Sequence, residues 1–300
     1  MISLGRLTVA VFALAFLPPA VFARDDPPRA DLIQFSKGLL WKVEKKGVVP
    51  SYLFGTIHVD DDRVLALPPA VKKAFDRSRV FAAELVNDEA ATRKFFAAMV
   101  TREPHLPALL GGGLYSDVDK LLAQYNIPSE ARPRFKPWAA MLTLLQPRGA
   151  TGMILDRKLL FDADEARKKI VGLESIEEQI AVFDQMPQQT QIILLREVVA
   201  NHETIQGSVL SAVEAYLERD LSKLWKLNAE AMSDDAGSQS HNEVFLNRLL
   251  YQRNERMVER LLPLFDRGGA FAAFGALHLY GKRGVLSLIE QRGYKVQRVY

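Results

Sequence analysis

The chain contains no cysteine. That excludes thiol nucleophiles, thiolate metal sites, iron–sulfur clusters and disulfides. A chain of 300 residues can bury enough core to do without disulfides, even in an oxidising compartment. Histidine is scarce: His58, His105, His202, His241 and His278 are all there are. Any metal must be held by those imidazoles and by carboxylates. There is no Gly-x-Ser-x-Gly elbow and no His-Glu-x-x-His pair. Their absence argues against an α/β-type serine hydrolase and against the ordinary zinc metalloproteases. The triple glycine Gly111-Gly112-Gly113 is not followed by Gly-Lys-Ser/Thr, so it reads as a turn and not a phosphate loop. No long Lys/Arg run occurs. With 39 basic and 36 acidic residues the net charge is only +3, and nothing points to a nucleic-acid partner.

Long apolar runs are also few. Residues 7–17 follow the single charge Arg6 and precede Pro18-Pro19, and Val21-Phe22-Ala23 places small residues where a signal peptidase reads. The stretch is short of the roughly 20 residues a membrane span needs. It reads as a signal peptide, 1–23, cleaved after Ala23. The expected mature chain, 24–300, is a single periplasmic or secreted domain with no membrane span. The apolar fraction of 48% and charged fraction of 25% are those of an ordinary globular protein.

Strand-like segments cluster toward the two ends. Residues 39–43 and 51–57 flank Lys45-Lys46-Gly47 and read as a hairpin. A short helix from Pro68-Pro69 to about Arg77 leads to a strand at 80–85, an order that suggests a parallel crossover. Residues 170–174, 271–274 and 295–299 are further strands, with a helix at 285–291 before the last. Helical patterns fill about 88–165 and 176–232. Residues 233–238 read as a loop, and a long amphipathic helix as covering 241–265. The expected fold is α/β (α+β), a central sheet built from N- and C-terminal strands with a helical insertion in the middle.

One short pattern occurs twice. Gly55-Thr56-Ile57-His58 follows Tyr52-Leu53-Phe54, and Gly275-Ala276-Leu277-His278 follows Phe271-Ala272-Ala273-Phe274. Each places a histidine just past an apolar strand, with a glycine where the strand should end and close backbone approach is permitted. Strand ends in one sheet can be neighbours, and α/β proteins gather functional groups at the carboxyl ends. The same ends carry Glu84 and Glu174. Two histidines and one or two carboxylates suit a catalytic divalent metal, with a second carboxylate as general base. On the 241–265 helix the apolar stripe of Leu246, Leu249, Leu250, Met257, Leu261 and Phe265 also contains Arg253 and Asn254. Arg253 either snorkels at a partly exposed helix end or reaches the carboxylates or a substrate oxyanion. His105, His202 and His241 read as surface residues. Trp138 reads as a helix-start packing residue, and Asp60-Asp61-Asp62 as a solvated loop.

In combination and order these segments resemble the TraB/GumN family, which includes Tiki- and PrgY-like proteins. The resemblance runs from Leu40-Trp41-Lys42-Val43 and Tyr52–His58 through Ala83-Glu84-Leu85, Lys136-Pro137-Trp138 and Gly172–Gln179. It continues through Arg253-Asn254 and Phe274–Gly281, which includes Tyr280, to Gly293-Tyr294-Lys295-Val296. It implies a paired-GxxH α/β core and, for Tiki-like members, peptide cleavage that depends on a divalent metal such as manganese, cobalt or zinc. By position His58, His278 and Glu84 would be metal or catalytic residues. Arg253 and Glu174 would assist, with Gly55, Gly275, Asn254 and Tyr280 as motif or supporting positions. Many bacterial relatives carry Asp two residues after the glutamate, where this chain has Val86. The expected function is an exported metal-dependent hydrolase, a peptidase. The alternative is a non-enzymatic protein that captures a peptide, a small ligand or haem in the same cleft.

Overall fold

The computed structural model describes residues 34–86, 88–149, 152–230 and 236–300. The expected signal peptide lies outside these residues. Six strands form one sheet: β1 (Leu40–Glu44), β2 (Ser51–Thr56), β3 (Val80–Leu85), β4 (Lys169–Glu174), β5 (Ala270–Gly275) and β6 (Lys295–Arg298). Their spatial order is β4-β3-β5-β2-β1-β6. The expected hairpin is present, with β1 antiparallel to β2. Gly47 makes its turn at φ 78°, a conformation that L side chains disfavour.

Strands β4, β3, β5 and β2 all run the same way. The expected crossover from β2 to β3 is parallel, but β5 lies between them. The C-terminal part of the chain therefore completes the middle of the sheet. Every residue of β5 is buried. A central parallel strand is covered on both faces, which is why Ala-Phe-Ala-Ala-Phe-Gly shows no polar alternation. The small residues Ala272, Ala273, Ala82 and Ala83 alternate with large rings. Phe271 stands 6.0 Å from Phe54, 6.4 Å from Phe81 and 5.5 Å from Phe75, the last from helix Pro69–Arg77. Truncating one such ring to alanine costs about 3–5 kcal/mol.

Helices fill the middle of the chain, as the pattern suggested. Helix Pro137–Leu144 starts with Pro137 in its first turn, and Trp138 is fully buried against Phe95 and Phe183. Among the described residues no helix is long and apolar enough to cross a membrane.

The long C-terminal helical segment differs from expectation in two ways. It is already helical from Ala236, inside the expected loop at 233–238, whose residues 233–235 lie outside the described ones. It is also not one regular α-helix. Asn247–Tyr251 forms a π turn, in which the Gln252 N–H donates to Asn247 O five residues back. Helix Gln252–Arg267 follows. Such turns recur at functional sites because they rotate the following residues relative to the preceding ones. Here Arg253 and Asn254 follow immediately, and both are buried.

Candidate functional site

The carboxyl ends of the four parallel strands meet the two GxxH motifs and the two glutamates. Thr56 pairs with Gly275 in the β2–β5 ladder, so His58 and His278 leave adjacent strands at the same end. Glu84 is the last-but-one residue of β3, and Glu174 closes β4. All four are buried, with 3% of His58, 0% of His278, 2% of Glu84 and 5% of Glu174 exposed. Gly55 has a steric task. A Cβ there would lie 2.9 Å from Ala276 Cα and 2.9 Å from Leu279 Cδ1, so the first motif makes room for the turn of the second.

Arg253 joins the carboxylates. Its Nε lies 3.0 and 2.9 Å from the two oxygens of Glu174, and Nη2 donates to Glu174 Oε2 at 2.5 Å and to Glu84 Oε1. Nη1 donates to Leu249 O at 3.1 Å. The snorkelling alternative is thereby excluded: Arg253 is 3% exposed and every guanidinium nitrogen is engaged within the protein. Gln179 Nε2 donates to Glu84 Oε1 at 3.2 Å and Glu174 Oε2 at 3.3 Å. Its position follows from the sequence just after Glu174. Ser175 and Glu178 form a reciprocal capping box that starts helix Ile176–Asp184. The box sets the helix phase, so Gln179 falls on the buried face with Ile176, Val182 and Phe183. Glu84 Oε2 turns the other way, 3.5 Å from the Gly275 N–H.

Each histidine is held at Nδ1. His58 Nδ1 lies 2.9 Å from Asp156 Oδ2, and Thr56 Oγ1 donates to Asp156 Oδ1 at 2.7 Å. Asp156 sits in the first turn of helix Leu155–Glu165, where the helix dipole favours an anion. His278 Nδ1 lies 2.5 Å from Asn254 Oδ1, and Asn254 Nδ2 donates to Arg283 O at 2.8 Å. His278 Nε2 is buried with no hydrogen-bond partner among the described residues.

The surroundings drive the two imidazoles apart. Burial lowers the pKa of His58, but the neighbouring Asp156 carboxylate outweighs it and raises the ring above the usual value. Burial, then the positive charges of Arg253 and His58, press His278 well below it. Burial also pushes the Glu84 carboxyl up; Arg253 pulls it back, and Glu174 adds to the rise. For Asp156 the burial penalty is overcome by the charge and hydrogen bond of His58, and its pKa is lowered. Buried, oppositely perturbed titratable groups at strand ends mark a candidate functional site.

The other singled-out positions lie elsewhere. Tyr280 packs its ring on Trp225 and places its hydroxyl 3.5 Å from Ser222, so its contacts are with helix Leu221–Glu230. His202 is buried, contrary to expectation, with Nε2 3.0 Å from the Tyr125 hydroxyl. The expectation failed because its helical neighbours are polar, while the partner Tyr125 comes from a distant turn, just after helix Gly112–Ala123. His105 is exposed and His241 half-buried beside Thr190. Two of the three acids after His58 are structural: Asp60 Oδ2 accepts the Gly152 N–H at 3.0 Å, and Asp61 caps helix Asp62–Leu65. Val86 is partly exposed.

Sequence reasoning missed Thr56, Asp156 and Gln179. Gln179 carried a signal, since it shares helical spacing with apolar Ile176 and Phe183. Asp156 also lies at helical spacing from buried Leu159 and Ala163. Among the described residues no three His, Asp or Glu side chains form a metal-binding group as they stand.

Comparison with known proteins gives a consistent picture. The description "TraB/PrgY/gumN family" belongs to a family that matches residues 39–298. The protein named Metalloprotease TIKI2 from Xenopus tropicalis is 27% identical over 86% of this chain and 59% of its own length. Metalloprotease TIKI1 from Danio rerio is 24% identical over 91% of this chain and 65% of its own length. An uncharacterized protein from Treponema pallidum is 23% identical over 87% of this chain and 82% of its own. The chain thus spans about three fifths of the length of the metalloproteases it matches. No solved structure matches it.

Proposed function

This chain belongs to the TraB/PrgY/gumN family, and from that premise we propose that it is an exported, metal-dependent hydrolase acting on peptides. The observation that carries this reading is the pair of buried histidines on adjacent strand ends, each held at Nδ1. The names of its metalloprotease relatives support it.

The donor chemistry fits a divalent ion. The Nε2 of His278 is an orphaned buried polar atom, and such atoms call for a partner. His58 and His278 would hold the ion, with Glu84 as their acidic partner. When bound, manganese, cobalt or zinc supplies acidified water and a polarised carbonyl. The chain's own residues do the rest. Asp156 and Asn254 orient the imidazoles. Glu84, with its raised pKa, is suited to take a proton through the oxygen that faces Gly275. Arg253 and Gln179 hold Glu84 and Glu174 in place. Since all Arg253 nitrogens are engaged, its role is to hold these acids and not to receive a substrate oxyanion. Burial excludes bulk water and strengthens every charge interaction in the site.

The test is digestion of a peptide library by purified protein with manganese, cobalt or zinc added, beside His58→Ala and His278→Ala. Cleavage by wild type and loss of at least about a hundredfold in either variant is expected. A wild type that binds no metal and cleaves nothing, yet is thermally stabilised by peptide, overturns the enzyme in favour of a capture protein. The burial of both imidazoles argues against haem capture at this pair, which would need an open face.

A further inference from the structure

An α-helix turns by about 100° per residue, so one residue gained or lost swings everything beyond it through that angle. The π turn Asn247–Tyr251 is such a gain. It sets the phase of helix Gln252–Arg267, and with it the directions of Arg253 and Asn254. Were the turn to close to regular α-helix, Asn254 would swing away from His278, whose Nδ1 lies 2.5 Å from Asn254 Oδ1. A π turn is rare within helices, and its place beside the site asks for a restraint.

Arg283 supplies one. Its guanidinium carbon lies 3.8 Å from the centre of the Tyr251 ring, and its Nη2 donates to Asn247 Oδ1 at 3.2 Å. Asn247 is the first residue of the π turn and Tyr251 the last, so one side chain grips both ends. The main-chain carbonyl of Arg283 accepts from Asn254 Nδ2 at 2.8 Å. A single residue therefore touches the turn and also the amide that the turn aims.

Arg283 is itself placed from the segment that carries His278. The short helix Ala276–Leu279 follows β5 and contains that histidine. Beyond it the Gly284 N–H donates to Gly281 O at 3.0 Å, and Ser287 Oγ donates to the same oxygen at 2.9 Å. A Cβ on Gly284 would lie 2.5 Å from Tyr280 O, so this turn closes only around glycine. The contacts form a ring, from His278 along the chain to Arg283, across to Asn254, and back to His278. The Arg283 side chain is exposed. Exposed contacts of this kind add little to global stability, so their task is local.

We propose that Arg283 is a positioning residue for His278: its side chain clamps the π turn at Asn247 and Tyr251, its carbonyl holds the Asn254 amide, and Asn254 sets the imidazole. That the imidazole then serves a metal rests on the function proposed above; the clamp is a property of the metal-free protein.

Arg283→Ala removes the clamp and keeps the carbonyl. In metal-free protein, hydrogen exchange of the backbone amides of 247–254 and of the Asn254 side-chain NH2 should quicken at least about tenfold, as for a local opening. The urea midpoint should stay at the wild-type value. The ring signals of His278 in NMR should move or broaden, while those of the other buried histidine, His202, stay in place. Affinity for Co2+, read by calorimetry, should fall about 10-fold, the lower end of the range for loss of an outer partner. Arg283→Lys should recover part of each effect, since a lysine keeps the charge over the ring but not the planar fork. Tyr251→Leu should reproduce Arg283→Ala and serves in its place if that variant does not fold. The double variant should be no worse than either single one, because both break the same clamp. Losses that multiply in the double variant overturn the proposal. So does unchanged exchange in Arg283→Ala, or faster exchange that leaves the His278 signals where they were. Variants that show the expected exchange and His278 changes, in a protein whose wild type binds no Co2+, overturn the metal-dependent function and leave the positioning role standing.

Discussion

Thr56 and Gly275 face each other across the β2–β5 ladder, and that single pairing brings two histidines 220 residues apart in sequence to one end of one sheet. From that pair His58 follows after one intervening residue and His278 after two, so the motifs are offset by one position in the ladder. The two motifs are also in contact, since the first glycine is needed for the second motif to pack.

That contact predicts the effect of Gly55→Ala. The added methyl would lie 2.9 Å from a backbone Cα, which cannot move aside as a flexible side chain would. Overpacking of this kind costs about 1–3 kcal/mol. Urea unfolding should show a lower midpoint with an unchanged slope. A midpoint equal to wild type would mean that the two motifs are less tightly packed than described.

Arg253→Met should be among the more damaging single changes in the protein. It leaves Glu84 buried without its arginine and Glu174 with only Arg256, 3.4 Å away. Breaking one partner from a buried ion pair costs about 3–5 kcal/mol. Without the arginine, nothing opposes the burial that already raises the Glu84 carboxyl, and its pKa rises further in the folded state. The variant should therefore regain stability relative to wild type as pH falls from 7 toward 5. Denaturant titrations at both pH values check this, and a loss that is the same at each would rule out Glu84 as its cause.

The two histidines should give metal-free protein a stability optimum in their titration range. His58 has a raised folded pKa, so its contribution is complete below about 6.5 and is lost as pH rises through the raised value. His278 has a depressed folded pKa; its contribution is complete above about 6.5 and is lost as pH falls below it. In thermal unfolding across pH 5 to 9, His278→Gln should flatten the acid limb and His58→Gln the alkaline limb. Limbs unaffected by these substitutions would assign the pH dependence to other groups.

Glu84→Gln separates binding from chemistry. The amide keeps the size of the side chain and can still accept from Arg253 and Gln179 through its oxygen, but it cannot take up a proton as a carboxylate does. Peptide turnover should fall about 10²–10⁴-fold, in kcat more than in KM. Retention of full kcat would remove Glu84 from the acid–base role and leave it an anchor for Arg253.

Much of this arrangement was legible beforehand because its signals are local. Apolar segments bounded by Gly and Pro marked the strands, and both histidines lie just past such segments. The positions of Arg253 and Asn254 on an apolar stripe showed that two polar groups would be buried and would need partners. The lack of cysteine limited any ligand chemistry to nitrogen and oxygen. Which partners those groups find was not legible. The His202 environment, the insertion of β5 between β2 and β3, and the π turn at Asn247–Tyr251 were missed for the same reason.

The sequence by itself therefore determined the elements, their faces and the residues placed at strand ends, since periodicity and turn chemistry act over a few residues. Only the tertiary structure decided that Asp156 would reach back 100 positions to Thr56 and so hold His58, and that Arg253 would bridge Glu84 and Glu174. Those contacts form when strands and helices from distant parts of the chain bury polar groups together. The burial that makes each partner necessary exists only after the sheet has closed around the site.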